Sequence, residues 1–191
     1  YGKFIYNNLS VHLSNQNKDT KIYLLDDQST EIVYTNKLKK FFKNNFIKTL
    51  SFKSKNNCFN QLNAISFFIK KIGIKKNEFY WFIDGDDSSI NNASDYIIPI
   101  LKNNYENNLF ILEGEEHGIF ETKKIIPELK YPLWYRNSPT SSLILKGLIL
   151  INNHNKIFKN FFNDVWFDMR VLINTNKKKT YLIKDKILYL K

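Results

Sequence analysis

Two short acidic runs carry the strongest chemical signal in this sequence. The first is Asp26-Asp27-Gln28-Ser29-Thr30 and the second is Asp84-Gly85-Asp86-Asp87. Three carboxylates within four residues repel one another unless a cation or hydrogen-bond donors offset them. A hard divalent metal with oxygen ligands does so economically. Gly85 would let the backbone approach a ligand closely. The first run is open to two readings, because an Asp-Asp pair after a strand is also a common turn or helix cap. His117, which follows Glu115 and Glu116, suits either a metal or an exposed turn.

Each acidic run follows a segment that reads as a strand: Lys21 to Leu25 ending at Asp26, and Phe79 to Ile83 ending at Asp84. Ile47 to Phe52 is a further strand. Helices are expected near 4–16 from the spacing of Ile5, Leu9 and Leu13, and around Leu38, Phe41 and Phe42. Another is expected over Leu62 to Ile72, stopped by Gly73. The second half is less regular. It offers a helix at Tyr96 to Leu101, a strand at Leu109 to Leu112 and an aromatic loop at Tyr131 to Thr140. Ser141 and Ser142 begin the next strand, Val165 to Leu172 is helical, and one or two strands lie within Tyr181 to Tyr189. Alternating helices and strands argue for an α/β fold with a largely parallel sheet. Such sheets bind ligands at the carboxyl ends of their strands, where both acidic runs fall. A helix feeding a buried parallel strand normally has a strand before it, expected here upstream of Tyr1. Regular alternation ends near residue 105, which divides the domain into halves at 1–105 and 106–191.

Composition narrows the classes. The 191 residues are 43% hydrophobic and 16% aromatic, enough to form a core and too apolar for a disordered chain. A lone cysteine, Cys58, excludes an intramolecular disulfide and fits a reducing, cytoplasmic setting. The longest apolar stretch, Leu143 to Ile151, is interrupted by Lys146 and Gly147 and falls short of the roughly 20 residues of a spanning helix. The net charge is +11, from 29 basic and 18 acidic residues, with arginine only at Arg136 and Arg170. Nucleic-acid readers lean on arginine, so nucleic acid is not the expected partner. The lysines read as a solvated surface, or as a face for an anionic substrate or for anionic lipid at the inner membrane surface.

The order strand-Asp26-Asp27-x-Ser29, then strand-Asp84-x-Asp86-Asp87, resembles the family 2 inverting glycosyltransferases, whose GT-A fold is a Rossmann-like nucleotide-binding α/β domain with a mostly parallel central mixed sheet flanked by helices. Tyr1, the helix from Phe4, Asn15-Gln16 and the Ile22 strand follow the family's opening order. Asn163-Asp164-Val165-Trp166-Phe167-Asp168-Met169-Arg170 fits the register of its late acidic motif. The chain departs from the pattern at Gln28, Asn63 and Asn163. The resemblance implies transfer of a hexosyl or N-acetylhexosaminyl group from a nucleotide-sugar donor, a UDP-sugar, to a glycan or lipid-linked acceptor hydroxyl, with inversion. It implies that 1–105 binds the donor and 106–191 the acceptor. It further implies that Asp26, Asp27 and Asp84 contact the nucleotide, that Asp86 and Asp84 hold Mn2+ or Mg2+ with Asp87 flanking, and that Asp164 is the general base, Asp168 being its rival.

Other residues keep more than one reading. Arg170 suits a diphosphate or a structural ion pair. Trp134, Tyr135 and Arg136 suit sugar stacking or core packing. Two other enzyme classes and one binding class compete. Asp84-x-Asp86-x-Ser88 also matches the nucleophile motif of haloacid-dehalogenase-type phosphatases, but that leaves Asp26-Asp27 without a task. A response-regulator receiver with Asp84 as phospho-acceptor leaves Asp86 and Asp87 over. A non-catalytic basic domain would bind an acidic partner with steep salt dependence.

Overall fold

Strand formation is clearest where alternate side chains can be buried on two faces at once. The computed structural model describes residues 17–27, 46–52, 61–84, 87–126, 140–152, 177–184 and 186–190. Strands β1 (Ile22–Asp27) and β2 (Phe46–Phe52) pair in parallel, with Leu25 opposite Leu50 and Asp26 opposite Ser51. Helix α1 (Gln61–Ile72) follows. Its Ile65, Phe68 and Ile69 recur at helical spacing on a core-facing side, and Lys70 and Lys71 complement the dipole of its last turn. Gly73, at φ 79°, ends it in the left-handed region, its N–H donating to the Ile69 carbonyl at 3.0 Å.

The chain then forms β3 (Phe79–Trp81), β4 (Ser88–Ser89) and helix α2 (Ala93–Asn103). Strands β5 (Leu109–Leu112), β6 (Gly114–His117) and β7 (Thr122–Ile125) come next. A 3-10 turn at Thr140–Ser142 leads into β8 (Leu143–Lys146), and residues 147–152 are helical. A second 3-10 turn, Lys177–Lys179, leads into β9 (Thr180–Ile183) and finally β10 (Tyr189–Leu190).

The central sheet has the order β3-β8-β5-β9. β8 is antiparallel to both β3 and β5, and β9 is parallel to β5, so β3, β5 and β9 run one way and β8 against them. Its side chains sort by parity. Leu109, Ile111, Leu143 and Leu145 pack with Ile65, Ile149 and Leu150. Phe110, Leu112, Ile144 and Ile183 pack with Ala93, Ile97 and Leu101 of α2. The result is an α/β/α layering around a mixed sheet, the class expected from the sequence. All four β5 side chains are fully buried, each contributing about 1.5–3 kcal/mol by leaving water. Lys146 carries its ammonium over the Tyr105 ring and donates to the Tyr105 carbonyl at 2.6 Å, tying the chain beyond α2 to the sheet.

A second sheet has the order β4-β10-β6-β7. β10 lies between β4, to which it is antiparallel, and β6, to which it is parallel. Strands from both sides of residue 105 therefore share each of these two sheets. The segments expected to be helical at 4–16, around Leu38 to Phe42 and at Val165 to Leu172 lie outside the described residues, as does the aromatic loop through Trp134, Tyr135 and Arg136. Among the described residues no helix is long and apolar enough to cross a membrane.

Candidate functional site

The acidic run after β3 is held from beneath by buried groups. Trp81, the last residue of β3, donates its indole N–H to the Ser141 carbonyl at 2.6 Å. Three residues on, the Asp84 N–H donates to the Ser141 hydroxyl at 3.0 Å. Ser141 is fully buried. The chain then turns, and the Asp87 N–H closes the turn on the Asp84 carbonyl at 3.1 Å. Asp84 is partly exposed, whereas Asp87 is only 4% exposed. The two carboxylates thus have different surroundings: Asp84 has access to solvent, and Asp87 faces the interior.

Tyr189 supplies part of that interior. Its ring is buried against Gly114, where an added Cβ would overlap it, so only glycine fits beneath the ring. Burial pushes the Tyr189 phenol well above its usual range. The nearby Asp87 carboxylate adds to that push. Immediately after the turn, Ser88 and Ser89 pair with Leu190 and Tyr189, and the Ile90 N–H reaches the Leu188 carbonyl at 3.1 Å. The last described strand therefore forms the floor of the acidic turn.

The first acidic run closes β1. Its two ends are placed by separate contacts. Asn17 donates its backbone N–H to the Ser94 hydroxyl at 2.6 Å and its side-chain N–H to the Asp95 carboxylate at 2.7 Å. The lead into β1 is thereby tied to the first turn of α2. Phe68 of α1 meets Tyr23 of β1 edge-on at 5.1 Å, and also meets Tyr80 and Phe82 at 6.2 Å. A hydrogen bond from Lys75 holds the Glu78 carboxyl below its usual range, and the charge of Lys21 adds to this. The feet of β1 and β3 are therefore neighbours beneath one helix.

Of the residues singled out in the sequence, Asp26, Asp84 and Asp87 are placed in this way. Asp27 is described as the strand residue opposite Phe52, and its side chain lies outside the described residues. Asp86, Asp164, Asp168 and Arg170 also lie outside them. Among the described residues no three His, Cys, Asp or Glu side chains gather as a metal site. His117 is exposed, 3.3 Å from Glu115. The sequence reading did not single out Ser141, Tyr189 or Gly114 as supports of the turn. Serines just ahead of an apolar strand were the only available signal for the first.

No family model and no curated protein sequence matches the chain. Solved structures of S. aureus TarS do. The structure of TarS residues 1–349 matches with a TM-score of 0.68 at 15% identity, over 99% of this chain and 57% of that one. The complex with UDP matches with a TM-score of 0.70 at 14% identity, over 100% of this chain and 57% of that one. The complex with UDP-GlcNAc matches with a TM-score of 0.68 at 17% identity, over 99% and 54%. The chain thus spans somewhat more than half the length of these proteins, and what it shares with TarS is the fold.

Proposed function

We propose that this chain is the catalytic part of a glycosyltransferase that takes a sugar from a nucleotide-sugar donor, a UDP-sugar, to an acceptor hydroxyl with inversion. The observation that carries the reading is the likeness to TarS over nearly the whole chain, TarS having been solved with UDP and with UDP-GlcNAc. The neighbouring feet of β1 and β3, each strand leading to an acidic run, support a single donor cleft.

Asp26 and Asp27 serve the nucleotide, and Asp84 lies against its ribose and the metal. Asp84 and Asp86 offer only carboxylate oxygens, with one residue between them, and Asp84 is partly exposed on an anchored turn. This donor set fits a hard divalent cation, Mn2+ or Mg2+. Such an ion would offset the charge that gathers on the departing diphosphate. Asp87, facing the interior, supports the turn.

Asp164 takes the proton from the acceptor hydroxyl as its oxygen attacks the anomeric carbon. The bond from that carbon to the diphosphate breaks in the same displacement, on the opposite side, so the configuration inverts. Proton removal of this kind contributes about 10²–10⁴ in rate. The acceptor is a glycan or a lipid-linked glycan, approached from the 106–191 half at the cytoplasmic side of a membrane. The lysine-rich surface attracts the anionic lipid there.

Isothermal titration of the chain with UDP, with and without Mn2+, tests the donor site. Binding that tightens with Mn2+ and loses this gain in Asp86→Ala is the expected result. UDP affinity indifferent to metal would refute the metal role. Binding that ignores Asp86→Ala but falls steeply with salt would favour a basic binding domain instead. Hydrolysis or thermal shift with a panel of nucleotide sugars, UDP-GlcNAc among them, then identifies the sugar.

A further inference from the structure

We infer that Ser141 is a positioning residue for Asp84, and that its hydroxyl sets the geometry in which that carboxylate meets the donor's metal; this rests on the glycosyltransferase reading above. The chain leaves β3 at Trp81 and must change direction before the acidic run. Two bonds govern that exit, and both end on Ser141. The Trp81 indole N–H fixes the Ser141 carbonyl at 2.6 Å, and the Ser141 hydroxyl fixes the Asp84 N–H at 3.0 Å. Ser141 does not itself drift. It is fully buried in a 3-10 turn that runs directly into β8, and β8 is hydrogen-bonded to β3, with Trp81 opposite Ile144. The residue that places Asp84 thus leads directly into a strand paired with the one from which Asp84 emerges.

Removing the hydroxyl takes away the bond from the Asp84 N–H, while the bond from the Asp87 N–H to the Asp84 carbonyl at 3.1 Å remains. Small divalent cations demand well-defined ligand geometry, so a loosened Asp84 costs metal-dependent binding first. A purely structural serine would instead lower stability without singling out the metal.

The test compares Ser141→Ala with Trp81→Phe in the full chain. Each removes one of the two bonds to Ser141, but only the first removes the bond to Asp84. The readouts are UDP affinity with and without Mn2+, and thermal unfolding. The expected result is that Ser141→Ala weakens Mn2+-dependent UDP binding by about three- to tenfold, the size of one hydrogen bond, and weakens metal-free UDP binding by clearly less. Trp81→Phe keeps the metal effect whatever it does to the melting temperature. If wild type shows the metal effect and Ser141→Ala retains all of it, the inference is overturned while the proposed function stands. If wild type binds UDP but shows no metal effect, the metal role and this inference fall while the donor site stands; if wild type binds no UDP, the proposed function falls. Should Ser141→Ala fail to fold, Ser141→Cys keeps the volume with a poor acceptor and is held to the same outcomes.

Discussion

Gly114→Ala tests how tightly the floor of the acidic turn is built. A Cβ at residue 114 would meet Tyr189 Cδ1 at 2.6 Å, with Cε1 and Cζ nearer still, where ordinary contact begins near 3.4 Å. The ring has no room to retreat. It is fully buried, and its backbone is paired to Gly114 on one side and to Ser89 on the other. Overpacking of this kind costs about 1–3 kcal/mol. For a chain of this size that corresponds to a fall of about 2–12 °C in melting temperature, read by circular dichroism. The displaced strand also carries the partner of Ser88 and Ser89, so Mn2+-dependent UDP binding falls with it. Tyr189→Leu removes the clashing ring, and the double variant recovers part of the loss, with a coupling of about 0.5–3 kcal/mol. A Gly114→Ala protein as stable as wild type, or a double variant whose losses simply add, would refute the reasoning.

Two further outcomes are expected. Burial, joined by a hydrogen bond to Glu78, pushes the Tyr80 phenol up to about 12 from 10.0. Because the folded value is the raised one, its stabilising contribution is complete below about pH 10 and is lost as the pH climbs through about 12. Denaturant unfolding followed over that range shows the decline, and Tyr80→Phe flattens part of it. If Asp164 is the base, as proposed, Asp164→Asn abolishes transfer but spares UDP binding, since the proposed mechanism needs that carboxylate for the proton alone. Full turnover in that variant beside an inactive Asp168→Asn would move the base to Asp168.

What could be read in advance depended on which force shaped each segment. β5 and α1 were legible because burial writes itself as period: four apolar residues in a row at Leu109–Leu112, and a helical stripe ended by Gly73. Asp26 is expected as the end of its strand, which runs one residue further to Asp27, and Asp84 lies three residues past the end of β3. The sequence predicts α2 over Tyr96 to Leu101, but it spans Ala93–Asn103, because Ser94, Asp95, Lys102 and Asn103 at its ends add nothing to an apolar stripe. β3 stops at Trp81 rather than Ile83, because the following residues bend toward Ser141 instead of continuing a ladder. The 3-10 turn at Thr140–Ser142 stands where a strand start was expected. The β6–β7 hairpin escaped notice altogether. Gly-Glu-Glu-His and Thr-Lys-Lys-Ile carry little apolar alternation, and the strands are held by backbone pairing and by Tyr189 over Gly114. Distant partners of this kind leave no local pattern in a sequence.

The threading of β10 between β4 and β6 also bears on the birth of the protein. A polypeptide emerges from the ribosome amino end first, so Asp84 to Asp87 are made a hundred residues before Tyr189. The pairing of Ser88 and Ser89 with β10 cannot form until Tyr189 and Leu190 have emerged. A nascent chain can pair β1 with β2 early, yet β4 stays without β10 until translation has passed Leu190. Strand β4 is therefore completed long after it is made.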